Sequence, residues 1–347
     1  MKSPLLAAPG AVPAEGPDTG VAAHYGDPVR EQRAMTRDAG LVDRSQRGVV
    51  RVSGPDRLSW LHSLTTQHLE ALPSGTTARA LVLSPNGHVE HDLTLTDDGT
   101  ATWIHVEPGT AAALVEFLDS MRFMLRVETA DVTGEYAVLS VAGPDEAKDA
   151  GPAAEAAVAV TTGPVGTDYV IPRAELAAIA DSVRDHGARL AGMWAYEALR
   201  IAAHEPRFGL DTDHKTLPHE VGWISSAVHL SKGCYRGQET VARVHNLGHP
   251  PRRLVFLHLD GSVDRLPAHG DPVELDGKPV GFVGSAARHW ELGPVALALV
   301  RRTVPVDAAL LAGGVAAAQE VIVPPDAGAN VTIDKAAFGG RSLLSRP

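Results

Sequence analysis

The single cysteine among the 347 residues lies in a segment that combines reactive and conformationally permissive residues. This segment, which we call the octapeptide, consists of Lys232, Gly233, Cys234, Tyr235, Arg236, Gly237, Gln238 and Glu239. Its two glycines permit positive φ angles, so the chain can turn sharply here. Lys232 and Arg236 place cations near the sulfur, and nearby cations favour the thiolate, which attacks electrophiles or binds metals. The pattern predicts a functional thiol at Cys234; the alternative is a small apolar core residue.

A second group of candidate residues lies between His88 and Asp92. Side chains alternate between the two faces of a strand, so Glu90 and Asp92 are expected on one face and His91 on the other. We therefore expect the two carboxylates to converge, whereas extended geometry separates His88 from His91 and argues against a metal site.

Six further histidines are found between residues 204 and 249, with two aspartates nearby: His204, His214, His219, His229, His245, His249, Asp211 and Asp213. No tight ligand spacing recurs among them, and Gly248 with the following prolines breaks any helix that could pair His245 with His249. The sequence analysis therefore assigns no metal site. Phosphate-binding loops, dinucleotide fingerprints and serine-hydrolase elbows are also missing from the sequence.

The composition limits the classes of function. A chain of 36.4 kDa exceeds the usual size of one hydrophobic core, so we expect two or three cores with space for a pocket between them. The net charge of -11 argues against a broad nucleic-acid surface. No apolar stretch approaches the roughly 20 residues of a membrane span. A single cysteine excludes an internal disulfide, and we expect a cytoplasmic protein without membrane or stable nucleic-acid partners.

Helical spacing predicts helices near residues 54–69 and 110–125, and the turn signals at 85–87 and 97–99 predict an antiparallel meander between 78 and 106. A second α+β unit is predicted at about 133–190. Short strands after the octapeptide predict a small β-barrel over 251–324. We expect residues 1–38 to be a mobile segment and 325–347 to be a tail.

The octapeptide resembles the signature of the YgfZ family of folate-binding proteins, which are related to the glycine-cleavage T-protein, the aminomethyltransferase GcvT. Further matches occur in the expected order at residues 52–56, 84–88, 122–123, 197–201 and 217–220. This resemblance implies an α+β, T-protein-like fold, in which two α+β subdomains and a C-terminal small β-barrel surround a central channel. The folate-binding α+β region would occupy residues 39–250.

The resemblance also implies a function. The family binds tetrahydrofolate or a one-carbon derivative and supports the assembly or repair of iron-sulfur clusters in client enzymes. It implies that Asp92 contacts folate and that Arg200 binds the glutamyl tail, although an arginine here could instead pair with the local acid Glu197. Other cofactor-binding candidates are Tyr169, Glu197, Gly233, Tyr235, Gly237, Gln238 and Glu239.

The chain departs from the T-protein pattern at the position that would bind the pterin ring. Where the T-protein carries an acidic residue after a tyrosine, this chain has Val170 after Tyr169, and Asp168 is expected on the opposite face from Tyr169.

Two alternative functions remain. The resemblance to the T-protein implies a true aminomethyltransferase, against which Cys234 argues. The residues also allow an independent thiol enzyme in which a histidine activates Cys234.

Overall fold

A computed structural model describes residues 1–144 and 150–330 of the chain. The strands are β1 Val12–Pro13, β2 Ala22–His24, β3 Gly40–Asp43, β4 Gly48–Ser53, β5 Thr76–Leu83, β6 Val89–Asp97, β7 Ala101–Val106, β8 Glu128–Asp131, β9 Tyr136–Ala142, β10 Ala159–Thr162, β11 Thr167–Pro172, β12 Arg189–Ala191, β13 Arg252–Leu259, β14 Pro272–Leu275, β15 Lys278–His289, β16 Gly293–Arg301, β17 Ala309–Ala312 and β18 Val315–Val321. The helices are α1 Pro28–Arg37, α2 Arg57–Leu64, α3 Ala111–Ser120, α4 Gly151–Ala156, α5 Leu176–Asp185, α6 Met193–Ala202 and α7 Gln238–Asn246.

The first large sheet has the strand order β5-β6-β7-β4-β8. It contains the predicted meander, whose strands β5, β6 and β7 pair antiparallel. Helices α2 and α3 pack on one of its faces through Leu61 and Leu114, which are fully buried with Val50 and Leu93 of the sheet. Both helices are shorter than predicted, since α2 spans only Arg57–Leu64 and α3 ends at Ser120. The Asp56 carboxylate binds Arg126 and makes no capping hydrogen bond to α2.

The second large sheet has the order β10-β11-β9-β3-β12 and is covered by α5. The predicted unit at 133–190 supplies four of these strands, but β3 comes from residues 40–43 and inserts between β9 and β12. The two sheets meet through a shared apolar cluster that includes Trp103 of the first sheet and Val138 and Val170 of the second. The sheets therefore form two layers with one interface between them.

Strands β13 to β18 close a six-stranded barrel in the order β13-β16-β15-β14-β17-β18, and β18 returns to pair with β13. The barrel has its own interior core, and its outer face contributes Phe256 and Leu299 to a cluster with Leu81 of the first sheet and Ile201 of α6. The α+β class with a C-terminal β-barrel is confirmed.

The structure differs from the prediction for the first 38 residues. They form two short strands and α1, and Val21, Ala22 and Met35 are buried. The carboxylate of Glu31 accepts hydrogen bonds from the backbone of Tyr25 at 2.7 Å and of Gly192 at 2.9 Å. The Pro, Gly and Ala composition suggested a mobile segment, but long-range contacts hold it in place.

The predicted tail is described only as far as Asn330, whose side chain donates to the carbonyl oxygen of His245 at 2.7 Å. Residues 331–347 of this predicted tail, and 145–149 of the connection before α4, lie outside the described residues. In the described ranges, no helix has both the length and the apolar character that a membrane span requires.

Candidate functional site

A cavity of about 390 Å³ lies where the two large sheets approach each other. The first sheet contributes Thr77, Arg79, Asp92 and His105, and the second contributes Asp168 and the loop before β11. Helix α6 adds Tyr196, and residues 205–207 close one side. The walls are rich in arginines and carboxylates, so this central cavity is suited to a polar ligand.

The charged residues around the central cavity are connected by Arg207. This buried guanidinium pairs with Glu107 at 2.8 Å, Glu197 at 2.9 Å and Asp18 at 3.1 Å. Burial raises the pKa of both carboxylates, but Arg47 and Arg207 hold the pKa of Glu107 far below its usual range, and Arg200 and Arg207 lower that of Glu197 to about 2. Both carboxylates are therefore ionised at neutral pH, and the network ties the N-terminal segment to the end of β7 and to α6.

Arg200 lies at the edge of the same cavity but is only 2% exposed. Its guanidinium donates to Glu197 at 2.5 Å, to Asp211 at 2.7 Å and to the carbonyl oxygen of Glu205 at 3.0 Å. The side chain therefore offers no free pair of donors to a carboxylate ligand. The structure therefore contains the local ion pair with Glu197, which the sequence analysis gave as the alternative for Arg200.

Asp92 lines the central cavity, as expected, and forms a two-point ion pair with Arg79 at 2.9 and 2.8 Å. The expected convergence of Glu90 with Asp92 is wrong. A β-bulge leaves Glu90 unpaired between Val89 and His91 and disturbs the alternation of side chains. Glu90 instead pairs with Arg236 of the octapeptide at 2.8 Å.

The three consecutive positions at the predicted pterin site have different surroundings. Asp168 faces the central cavity and pairs with Arg44 at 2.8 Å, and it accepts a hydrogen bond from Ser140 at 2.5 Å. Tyr169 packs on the opposite face in the core under α5, and Val170 is 2% exposed in the cluster between the sheets. The acidic side chain at this point of the cavity is thus that of Asp168.

His105 is a buried histidine at the cavity wall. Its Nδ1 accepts a hydrogen bond from Arg47 Nε at 3.1 Å, so the neutral ring carries its proton on Nε2. Burial, reinforced by Arg47, lowers its pKa to about 3. Among the described residues, neither His105 Nε2 nor the nearby Arg44 Nε has a hydrogen-bond partner. Two nitrogen donors are therefore buried and unsatisfied within the cavity wall.

The octapeptide lies outside the described walls of the central cavity. Its Cys234 is exposed, whereas Lys232 is buried. The Lys232 ammonium donates to the carbonyl oxygens of His62, Thr65 and Gln67, the last two at 2.5 and 3.1 Å. Burial lowers the pKa of Lys232 to about 8. Lys232 thus anchors the octapeptide to the end of α2.

Of the remaining octapeptide residues, some pack or hydrogen-bond within the protein and others are exposed to solvent. Gly237 adopts a φ of +83° at the start of α7, and a Cβ there would lie 2.6 Å from the carbonyl oxygen of Ser84. The ring of Tyr235 is buried in the core beside the barrel. Gln238 donates to the carbonyl oxygen of Lys232 at 3.4 Å, whereas Gly233 and Glu239 are exposed. The turn at 84–87 and the octapeptide, which are distant in sequence, are therefore in direct contact.

Comparisons with known proteins agree with this architecture. Residues 18–158 match the family described as GCVT N-terminal domain, and residues 252–327 match the CAF17, C-terminal beta-barrel domain. The chain is a YgfZ-like relative of the glycine-cleavage T-protein.

The YgfZ-like chain is 29% identical over 286 residues to the aminomethyltransferase of Rubrobacter xylanophilus, with 76% of each protein covered. It is also 29% identical over 310 residues to the aminomethyltransferase of Saccharopolyspora erythraea, covering 80% of this chain and 83% of that protein. The crystal structure of glycine cleavage system aminomethyltransferase T from Bartonella henselae superposes with a TM-score of 0.79 at 19% identity, over 92% of this chain and 96% of that one. This structure shares the fold.

Several cavity residues of this YgfZ-like protein were missed from sequence. Arg44, His105, Glu107 and Arg207 come from three separate segments, and none belongs to a recognisable motif. The only sequence signal was at Asp168, which stands beside the position where the T-protein has its acidic residue. The structure assembles these residues because β3, β7 and the segment after α6 converge between the sheets.

Proposed function

We propose that this YgfZ-like protein binds tetrahydrofolate or a one-carbon derivative in the central cavity and, through Cys234, supports the assembly or repair of iron-sulfur clusters in cytoplasmic client enzymes. The observation that carries the folate part is the polar cavity between the sheets, in which the carboxylates of Asp92 and Asp168 stand beside arginines. Its volume of about 390 Å³ lies in the range of small-molecule sites.

The chemistry of these walls matches that of a reduced folate. The exocyclic amino group and the adjacent ring N–H of a pterin both donate hydrogen bonds, and one carboxylate accepts both. Asp168 is the better candidate for this contact, because it lines the cavity between the two sheets beside Arg44 and His105. Arg44 also stacks over Tyr196 at 4.2 Å, so one side of the cavity has a flat wall.

Arg200 has an indirect part in this proposal. With its guanidinium occupied by Glu197 and Asp211, it orients Glu197 towards Arg207 and so maintains the charge pattern of the cavity. Asp92 is proposed to contact the one-carbon end of the folate, as the resemblance implies. Asp92 and Arg79 are each partly exposed, which leaves them accessible to a ligand.

Equilibrium binding of tetrahydrofolate, measured by calorimetry, tests the cavity. We expect Asp168→Asn to weaken binding by about tenfold or more, because a neutral amide cannot replace the charge-assisted acceptor. Asp92→Asn provides a second, independent variant if Asp168→Asn alters the fold in near-ultraviolet circular dichroism. The matched control is Asp213→Asn, which breaks an ion pair with Arg252 outside the cavity and should leave affinity unchanged. Equal affinity in all three variants, or no binding by the unaltered protein, would contradict the folate site.

A deletion-rescue assay tests the role of the thiol. Because Cys234 is exposed, Cys234→Ala should leave the fold and folate affinity intact while lowering cluster content in client enzymes to the level of the deletion. The readout is the activity of an iron-sulfur enzyme in the rescued cells, with protein abundance measured alongside. Full restoration of client activity by Cys234→Ala would remove the proposed role of the thiol.

The second candidate function is aminomethyltransferase activity, which the names of the curated relatives favour. Methylene transfer from a lipoylated carrier to tetrahydrofolate by the purified protein would distinguish this activity from a role in cluster assembly. Turnover that survives Cys234→Ala would favour the transferase over the cluster-assembly factor.

A further inference from the structure

Three side chains at the end of α2 bring potential metal-binding atoms together, although the sequence analysis assigned no metal site. His62 lies in the last turn of α2, and His68 and Glu70 follow in the connection to β5. One nitrogen of each histidine and a carboxylate oxygen of Glu70 all lie within 4.8 Å of one another. His62 is partly buried, whereas His68 and Glu70 are exposed, so an ion could enter from solvent.

A fourth potential ligand comes from a distant part of the chain. The ring of His229 lies 5.3 Å from the ring of His68, and the His62 and His68 rings meet edge to face at 4.8 Å. The backbone N–H of His229 donates to the carbonyl oxygen of Thr66 at 2.9 Å, which fixes the two segments side by side. Three imidazoles and one carboxylate are a ligand set suited to zinc and other divalent transition ions.

The backbone that carries this cluster is held by buried contacts. Lys232 binds the carbonyl oxygens of His62, Thr65 and Gln67, and Leu69 is fully buried between His68 and Glu70. The hydroxyl of Thr66 donates to the carbonyl oxygen of Ala227 at 2.6 Å. The ligand-bearing segment is therefore fixed from both sides, and only side-chain rotations are needed to close the site around an ion.

We propose that His62, His68 and Glu70, with His229 as fourth ligand, bind one divalent transition-metal ion of the zinc class. This inference goes beyond the proposed folate function and does not depend on it, since the cluster lies outside the described walls of the central cavity. Binding has a specific structural consequence at His62. Its Nδ1 accepts the backbone N–H of Leu69 at 3.3 Å. A metal on Nδ1 displaces that bond, and a metal on Nε2 moves the ring proton to Nδ1, so either mode frees the Leu69 amide.

Titration of the full chain, prepared without a histidine tag, with Zn²⁺ tests the proposal. We expect one Zn²⁺ per chain, and His68→Ala should weaken the affinity by about tenfold or more. Co²⁺ as a second probe should give the visible absorption of a four-coordinate site, and Mg²⁺ should not compete, because it prefers oxygen ligands. Amide hydrogen exchange at Leu69 should become faster when Zn²⁺ is bound.

Two matched variants make the test decisive. His258→Ala removes an exposed histidine that also lies beside a glutamate, Glu320, at 3.3 Å, and it should keep the full affinity. Cys234→Ser removes the single thiol of the chain, which is a strong zinc ligand, and this variant should also keep the full affinity. Equal affinity in His68→Ala and His258→Ala, loss of binding in Cys234→Ser, or binding only at millimolar Zn²⁺ would each overturn the site.

Discussion

Replacing Arg207 by methionine is expected to lower the free energy of unfolding by about 4 kcal/mol, since removal of one partner from a buried ion network leaves charges without compensation. Arg207 is 7% exposed and makes ion pairs with Asp18, Glu107 and Glu197. Methionine retains much of the side-chain volume, so the change acts on charge more than on packing. Urea denaturation followed by tryptophan fluorescence measures the loss.

The matched control for Arg207 is Arg184→Met. Arg184 also pairs with an aspartate, Asp181, at 2.9 Å, but both side chains are exposed on α5. Exposed ion pairs contribute little, so the control should change the free energy of unfolding by no more than about 0.5 kcal/mol. Similar losses in the two variants would mean that the Arg207 network does not hold the N-terminal segment against β7 and α6.

Gly237→Ala is expected to lower the free energy of unfolding by about 3 kcal/mol. The left-handed conformation at φ +83° disfavours a side chain by roughly 1–2 kcal/mol. In addition, the new Cβ would lie 2.6 Å from the carbonyl oxygen of Ser84 and 3.0 Å from the Cα of Gly87, and displacing packed groups costs a further 1–3 kcal/mol or so. The octapeptide must therefore shift away from the turn at 84–87.

The control for Gly237→Ala comes from the octapeptide itself. A Cβ at Gly233 meets nothing within 4 Å, so Gly233→Ala should change stability by less than about 0.5 kcal/mol. The rate at which Cys234 reacts with Ellman's reagent provides a second measurement. We expect that rate to change in Gly237→Ala and to stay constant in Gly233→Ala. If both variants match the unaltered protein in stability and rate, the contact between the octapeptide and the turn is not what positions the thiol.

The predictions that rest on local pattern agree well with the structure. The meander at β5, β6 and β7 and the strands of the barrel follow from periodicity and turn residues, which act over a few neighbouring positions. The faces of Asp168 and Tyr169 were also assigned correctly, because alternation along a regular strand needs no tertiary information. The same rule failed at Glu90, where a bulge in the pairing with β5 breaks the alternation.

The sequence alone thus determined the class of fold and the turn at the octapeptide, since these depend on backbone preferences and on short-range patterns. It left open whether Cys234 is exposed or part of a core. Only the tertiary structure decided the partners of the charged residues. Lys232 binds carbonyl groups about 165 residues away, and Arg207 pairs with Asp18 across 189 positions. Such pairings are selected by the burial of charge, because a buried ion needs whichever partners the packing of distant segments provides, and no local pattern encodes that packing.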